Sequence, residues 1–500
     1  GSMADVPICI KELSDGGFII ANSSLSNNNG DKNCQNYGFF DNWICKLNSQ
    51  LEIEWQNCYG GNEGESIPII IENNDKIVLF CSSNSGISGN KTQSYLVDNQ
   101  TNSIYEHLWV VEVNAQGAII NQKVFGGEQG AQISKVIKYN NGFLCLGTIK
   151  GEPGYDLSES THGAKDYWIL FLDNDLNRVW DRAIGGLENE SGGDVIIFNN
   201  FIYLSGLSLS NQSFDKSENN YSTEGGRNIW LVKMDNNGQI LWDKTIGTIK
   251  YEDGSYLCAN AYGVFVVTTT SAGIGGTKTE AAKGNEDIWI TKLSHDGQIL
   301  ADKTIGTNKT DRVTGIENYG DSGIILSAYT KASQEDDLIF QNYGNEDIWV
   351  MMLDNNLNIM AQGLYGGSNY NASSTNILRQ NDKITLAATS TSGANGVKTE
   401  PSRGNSDAWI LQLQYNSTGN SEVAKENPHQ IYPNPTSGIL NVSGFEEGSR
   451  YKITNIDGKL LQSGFLNGIL DVSQCGNGLY FMSIFDSTGR VSEYKFSICK

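Results

Sequence analysis

The stretch Gly273-Ile-Gly-Gly-Thr-Lys-Thr-Glu280 holds glycines, a lysine and a threonine in roughly the order a phosphate-cradling loop would use. Such a loop needs Gly directly before Lys, a buried strand ahead of it and a helix behind it. Here Thr277 separates Gly276 from Lys278, and no helical pattern follows. The element also recurs, as Gly86-Ile-Ser-Gly-Asn-Lys91-Thr-Gln93 and Gly393-Ala-Asn-Gly-Val-Lys398-Thr-Glu400. Recurrence points to a structural turn whose glycines supply positive φ. The functional alternative is a ring formed by Lys91, Lys278 and Lys398 around an acidic ligand.

Other residues with chemistry are similarly regular. Asp41, Asp166, Asp287, Asp347 and Asp407 each stand two residues before a Trp, so loop capping is expected of them rather than paired acid–base catalysis. The four histidines (107, 162, 295 and 429) have no metal-ligand spacing, and no Ser/His/Asp or G-x-S-x-G pattern occurs. The turns Asp173–Asn177 and Asp354–Asn358 are rich in oxygen but do not match the calcium-loop pattern. No cofactor and no catalytic residue is expected; calcium is the one cation these turns suggest. Tyr37, Phe39, Tyr155, Tyr221 and Tyr343, with Phe40 and Tyr105, fall in loops beside Asn, Asp and Gln, a combination that suits sugars. Loop anchoring is the competing role for these rings.

The elements that position these residues are repeats. Trp43, Trp109, Trp168, Trp230, Trp289, Trp349 and Trp409 recur roughly every sixty residues, and a Gly follows each of the first six at a fixed offset (60, 126, 185, 247, 306 and 366). Each unit reads as four strands, A to D, rich in Ile, Val, Tyr and Trp and punctuated by Asn, Asp and Gly. The prediction is an all-β chain: a seven-bladed β-propeller over residues 4–426, with the tryptophans packed between blades. The long B–C loops all emerge on one face, where function is expected. Asn420–Lys425, or the N-terminal residues, would supply the outer strand of the last blade.

The formal charge is −22 with no basic cluster, so nucleic acid is not an expected partner. No apolar run is long enough to span a membrane. Gly1-Ser2-Met3 reads as a cloning remnant, so a native export signal is expected to have been removed. Nine dispersed cysteines form no zinc pattern.

After a linker at 427–431 the repeat stops. Tyr432-Pro433-Asn434-Pro435 is followed by Asp457-Gly458-Lys459, then Gly478-Leu479-Tyr480, then a last strand ending at Lys500. In this order, at this position, residues 432–500 closely resemble the type A C-terminal sorting domain of the type IX secretion system. The resemblance implies a small Ig-like sandwich that carries folded cargo across the outer membrane of Bacteroidota. Its partners would be the translocon and its shuttle and sortase components, and the cargo would end up secreted or anchored on the cell surface. A Cys475–Cys499 bridge is possible there. The propeller units also resemble repeats common in secreted proteins of that phylum.

From these features we expect a non-enzymatic binder of glycan or protein, acting through its B–C loops. The alternatives are an extracellular polysaccharide lyase or glycosidase, or a surface accessory of secretion or gliding. An enzyme would gather non-repeating acids with Tyr, His or Arg around the axis at the open end.

Overall fold

The computed structural model describes residues 2–94, 105–222, 225–380, 383–402, 404–414, 430–432, 436, 438–443, 449–455, 459–485 and 491–498. The chain divides into two compact units, Gly1–Ser417 and Thr418–Lys500.

The first unit is built from seven successive antiparallel sheets, six with four strands and the last with three among the described residues. Each starts with its A strand: Asp5–Glu12, Glu65–Asn73, Ala131–Tyr139, Glu190–Phe198, Glu252–Asn260, Asp311–Asn318 and Asn371–Gln380. Neighbouring A strands touch in a closed cycle, with Asn371–Gln380 against Asp5–Glu12. A parallel bridge from Ala4 to Ser406 joins the last sheet to the first, just as Glu286–Thr310 and Glu346–Tyr370 join others. The expected outer strand at 420–425 lies outside the described residues, and the N-terminal residues instead form the first A strand. Every A–B pairing slips at a bulge near its loop-face end. A bulge bends and twists a strand, here the one lining the axis.

The indoles seal the sheet-to-sheet interfaces. Trp109 packs with Ile19 and Ile44 of the sheet before it, Trp168 with Phe80 and Val110, and Trp349 with Phe265 and Ile288. Trp43 packs with Ala387 and Ile410 of the last sheet, so the ring closes with the contact used elsewhere. In the first six sheets the indole N–H donates to the residue thirteen further on, from Trp43 to Gln56 (2.9 Å) through Trp349 to Gln362 (3.0 Å). A buried ring thereby keeps its polar edge satisfied.

The second unit is a two-sheet sandwich. One sheet holds Gln430–Tyr432, Ile439–Ser443 and Ile469–Asp471; the other holds Arg450–Asn455, Leu460–Phe465, Gly478–Phe485 and Val491–Ile498. Leu440, Val442, Ile453, Leu470, Met482 and Phe496 from the two sheets fill its core. Tyr480 is buried there, its hydroxyl donating to the Gly476 carbonyl at 2.7 Å. Of the tail motif, Lys459 is exposed on a hairpin turn, whereas Pro433, Asn434, Pro435, Asp457, Gly458 and Lys500 lie outside the described residues. Cys475 is a free thiol, and Cys499 lies outside the described residues. The disulfide observed is Cys34–Cys58, in the first sheet.

Candidate functional site on the loop face

The glycine–lysine stretch is a latch between sheets. Gly275 and Lys278 bridge across a tight turn with Gly276 at φ 60°. Thr277, the residue that spoils the phosphate-loop pattern, exchanges two hydrogen bonds with Gly247 of the preceding sheet: its N–H donates to the Gly247 carbonyl (2.9 Å) and its Oγ1 accepts from the Gly247 N–H (3.0 Å). Asn90 with Gly60, Asp156 with Gly126, Asp215 with Gly185 and Asp337 with Gly306 repeat that exchange.

Lys91, Lys278 and Lys398 are therefore corrected from ligand contacts to internal pegs, because all three are buried. Lys91 Nζ donates to Ser83 Oγ (2.9 Å) and the Ser85 carbonyl (2.6 Å). Lys278 Nζ donates to the Glu280 carbonyl (2.6 Å) and Thr304 Oγ1 (2.5 Å). Lys398 Nζ reaches Ser390, Ser392 and Ser402. Burial lowers the pKa of each ammonium.

The aspartates of the Trp motif cap their loops. One Oδ of Asp41 accepts from the Tyr37 N–H (2.5 Å), of Asp166 from the His162 N–H (2.8 Å), of Asp287 from the Lys283 N–H (2.8 Å) and of Asp347 from the Tyr343 N–H (2.6 Å). The recurrent glycine follows from this. A Cβ at Gly60, Gly185, Gly306 or Gly366 would overlap the carboxylate of Asp41, Asp166, Asp287 or Asp347. In the oxygen-rich turns, Asp173 and Asp354 likewise bond the amides of their own turn.

Function is therefore sought where the repeat is broken, and two places stand out. The first is the left-handed position of the latch, occupied by Gly30, Gly89, Gly276 and Gly396 in four sheets but by Tyr155, Phe214 and Asp336 in the others. Tyr155 (φ 52°) and Phe214 (φ 47°) are bulky residues in a conformation that costs an L-residue about 1 kcal/mol or more, and their side chains are 49% and 65% exposed. His162 stacks on Phe214 and sets Nδ1 3.2 Å from Asp215 Oδ2.

The second is the axial rim. The residue before each C strand runs Phe40, Glu106, Lys165, Arg227, Glu286, Glu346 and Ser406 around the ring, with no consensus. Between the second and third sheets this rim opens into a polar cleft of ≈ 240 Å³, lined by Asn84, Tyr105, Glu106, Gln132, Lys150 and Lys165 among others. Opposite, Arg312 forks onto Glu286 (2.8 and 2.5 Å) and reaches Asp253 (3.0 Å), while Lys331 pairs with Glu346 (2.9 Å). Burial pushes the nearby Tyr329 hydroxyl up to about 12.

The aromatic candidates do not converge. Tyr37 and Phe39 belong to the first sheet's loop, Tyr155 to the third, Tyr221 to the fourth and Tyr343 to the sixth. Tyr37, Phe39, Tyr155 and Tyr343 are exposed, and Tyr221 is half-buried. Phe214 and His162 escaped the sequence reading as site residues. Aligning the seven latch turns would have revealed Phe214, because it stands where most turns have glycine.

Residues 430–498 match the family described as the secretion system C-terminal sorting domain. No curated protein matches the chain. Among solved structures it resembles an alpha-L-arabinofuranosidase from Lactobacillus brevis (9% identity, 59% of this chain and 92% of that one, TM-score 0.33). It also resembles the BBS1N structure in complex with ARL6DN (10%, 84% and 95%, TM-score 0.42). A third likeness is to the Neurospora crassa Pan2 WD40 domain (8%, 64% and 74%, TM-score 0.34). These distant likenesses carry no argument about activity. The C-terminal unit is a type IX secretion sorting domain, the address of a chain exported to the cell surface or released beyond it.

Proposed function

We propose that the exported propeller is a non-enzymatic binding module that takes carbohydrate on its B–C loop face. Tyr155 and Phe214 carry this reading: two adjacent latches give up glycine, accept backbone strain and hold rings toward solvent. Strain of this kind persists where something other than stability is being served. Flat rings beside His162, Asp215 and Glu159 suit the apolar face and hydroxyl edge of a pyranose. An exposed ring of this type contributes about 0.5–1.5 kcal/mol, up to about tenfold in affinity.

The test is a glycan array probed with the full chain and with a Tyr155→Gly/Phe214→Gly variant. Glycine is the repeat's own residue at this position, so folding is retained. Saccharide binding that falls tenfold or more in the variant supports the reading, and unchanged binding sinks it.

The rim favours a second reading, a polysaccharide-active enzyme. Asp253, Glu286, Glu346, Arg312 and Tyr329 form the non-repeating axial set such an enzyme would need. Against it, Arg312 is engaged by two carboxylates, and Tyr329 is shifted away from use as a base near neutral pH. Turnover of a polysaccharide by the same preparation, abolished by Arg312→Ala, would replace the binding reading with this one.

A further inference from the structure

At five of the seven boundaries between sheets, a buried polar capping residue of one C strand meets a buried polar first residue of the next A strand. The two are Asp41 and Glu65, Asp166 and Glu190, Asn228 and Glu252, Asp287 and Asp311, and Asp347 and Asn371, all buried. A Cβ built on Gly60 would lie within 3 Å of both Asp41 Oδ1 and Glu65 Oε2, so the two carboxyls converge on one point.

The amide-containing boundaries show what this point requires. Asn228 accepts the loop amide of Tyr221 through Oδ1 (2.7 Å), the role taken elsewhere by one aspartate oxygen. Its Nδ2 then donates across the boundary to Glu252 Oε2 at 2.8 Å. Asn371 Nδ2 likewise lies 3.3 Å from Asp347 Oδ1. In the diacid boundaries the corresponding atoms, Oδ1 of Asp41, Asp166 and Asp287, are buried with no hydrogen-bond partner. An oxygen thus stands where the related boundary has an N–H donor.

We propose that each of the pairs Asp41–Glu65, Asp166–Glu190 and Asp287–Asp311 holds one shared proton in mildly acidic solution, with the aspartate Oδ1–H donating to its partner as the Asn228 amide does. Two adjacent buried carboxylates repel each other, and neither is open to bulk solvent. The shared proton removes one charge and supplies the missing donor.

The groups facing these pairs do not replace the proton. Lys32, Lys91 and the Cys81 thiol face the first pair; His162, Lys216 and Tyr167 the second; Lys278 and Lys283 the third. Lys32, Lys91, Lys216 and Lys278 bond hydroxyls and carbonyls, as in Lys91 to Ser83, which in turn donates to Glu65, and Lys283 pairs with Asp337. Lys398 does the same beside the Asp347–Asn371 boundary, through Ser390 to Asn371. Among the described residues no lysine makes a hydrogen bond or ion pair to a carboxyl of these pairs, since each ammonium is engaged elsewhere. Burial moves Asp41 up to about 7 and Asp166 and Asp311 up to about 6.

The sign follows. A carboxyl whose folded pKa is raised stabilises the fold fully below the ordinary carboxyl range, and that contribution is lost as pH rises through the folded value. The ring should therefore loosen between about pH 4 and pH 7, the interval between the ordinary and raised pKa values. The test is thermal unfolding of the full chain between pH 5 and pH 8, compared with the variant Asp41→Asn/Asp166→Asn/Asp287→Asn. The variant should lose much of the downward slope of Tm with pH and melt higher than wild type at pH 8. Parallel Tm profiles would overturn the proposal. If the triple variant does not fold, Asn228→Asp provides the reverse test. It creates a further diacid pair and should steepen the slope, and an unchanged slope would also overturn the proposal.

Discussion

The imidazole of His162 lies flat against Phe214 of the next sheet, ring centroids 4.6 Å apart and planes 20° apart. The contact crosses a boundary where the first sheet's counterpart, Tyr37, instead packs on Gly89. An aromatic ring has been added to a turn that works without one.

Phe214→Gly should accordingly separate stability from function. Removing a positive-φ strain of about 1 kcal/mol, less the lost His162 stack, leaves Tm unchanged or slightly higher. Saccharide affinity should fall by up to about tenfold. Calorimetric melting beside a binding titration checks both, and a clear drop in Tm would show that the ring is part of the ring-closing architecture instead.

Glycine should be intolerant only where the aspartate comes close. Gly306→Ala drives a Cβ into Asp287 Oδ1 and so should displace the loop cap, with a loss of about 1–3 kcal/mol. Gly273→Ala meets nothing within 4 Å and should shift stability by less than about 0.5 kcal/mol. Chemical denaturation of the two variants makes the comparison. Equal losses would mean that the repeat keeps Gly306 for another reason.

Cys34 and Cys58 tie the first sheet's long loop to its D strand, with 24 residues of separation. A loop of that size gains about 3 kcal/mol from closure. Reduction, or Cys34→Ala/Cys58→Ala, should therefore lower the midpoint of chemical denaturation without abolishing folding, since the other sheets lack the link among the described residues. A bridge suits a chain exported from the reducing interior. An unchanged midpoint under strong reductant would show that the link carries no stability.

The repeat was legible in the sequence because Trp, Asp and Gly recur in register and each acts locally. The Trp fills a boundary, the Asp caps a loop, and the Gly leaves room for a carboxylate. The lysines were legible as a recurrent element but not as buried groups, since their partners Ser83 and Thr304 lie eight residues before or 26 residues after them. The link from Trp168 to Asp181 was missed because the position one residue earlier, Trp180, is the more conspicuous. The boundary between Asp166 and Glu190 spans two sheets, so neither residue marks it alone. Phe214 was hidden for the opposite reason: its meaning lies in differing from its six counterparts.

The lysine pegs permit a test built from the protein's own variation. In the third and sixth sheets the peg position holds Leu157 and Leu338, packed in the same cores as Ala183 and Leu364. In the fifth, Lys278 faces Thr304, the counterpart of those two residues. Lys278→Leu alone strands the Glu280 carbonyl and the Thr304 hydroxyl, a loss of about 1–3 kcal/mol. Adding Thr304→Leu copies the sixth sheet and should recover at least part of that loss, because an apolar pair of fitting shape replaces both polar partners together. A double-mutant cycle in denaturant measures the coupling. Saccharide affinity should not change in any of the three variants. If Lys278→Leu abolished binding while leaving stability intact, the ammonium would be a ligand contact after all, and the latch would have to be reread as part of the site.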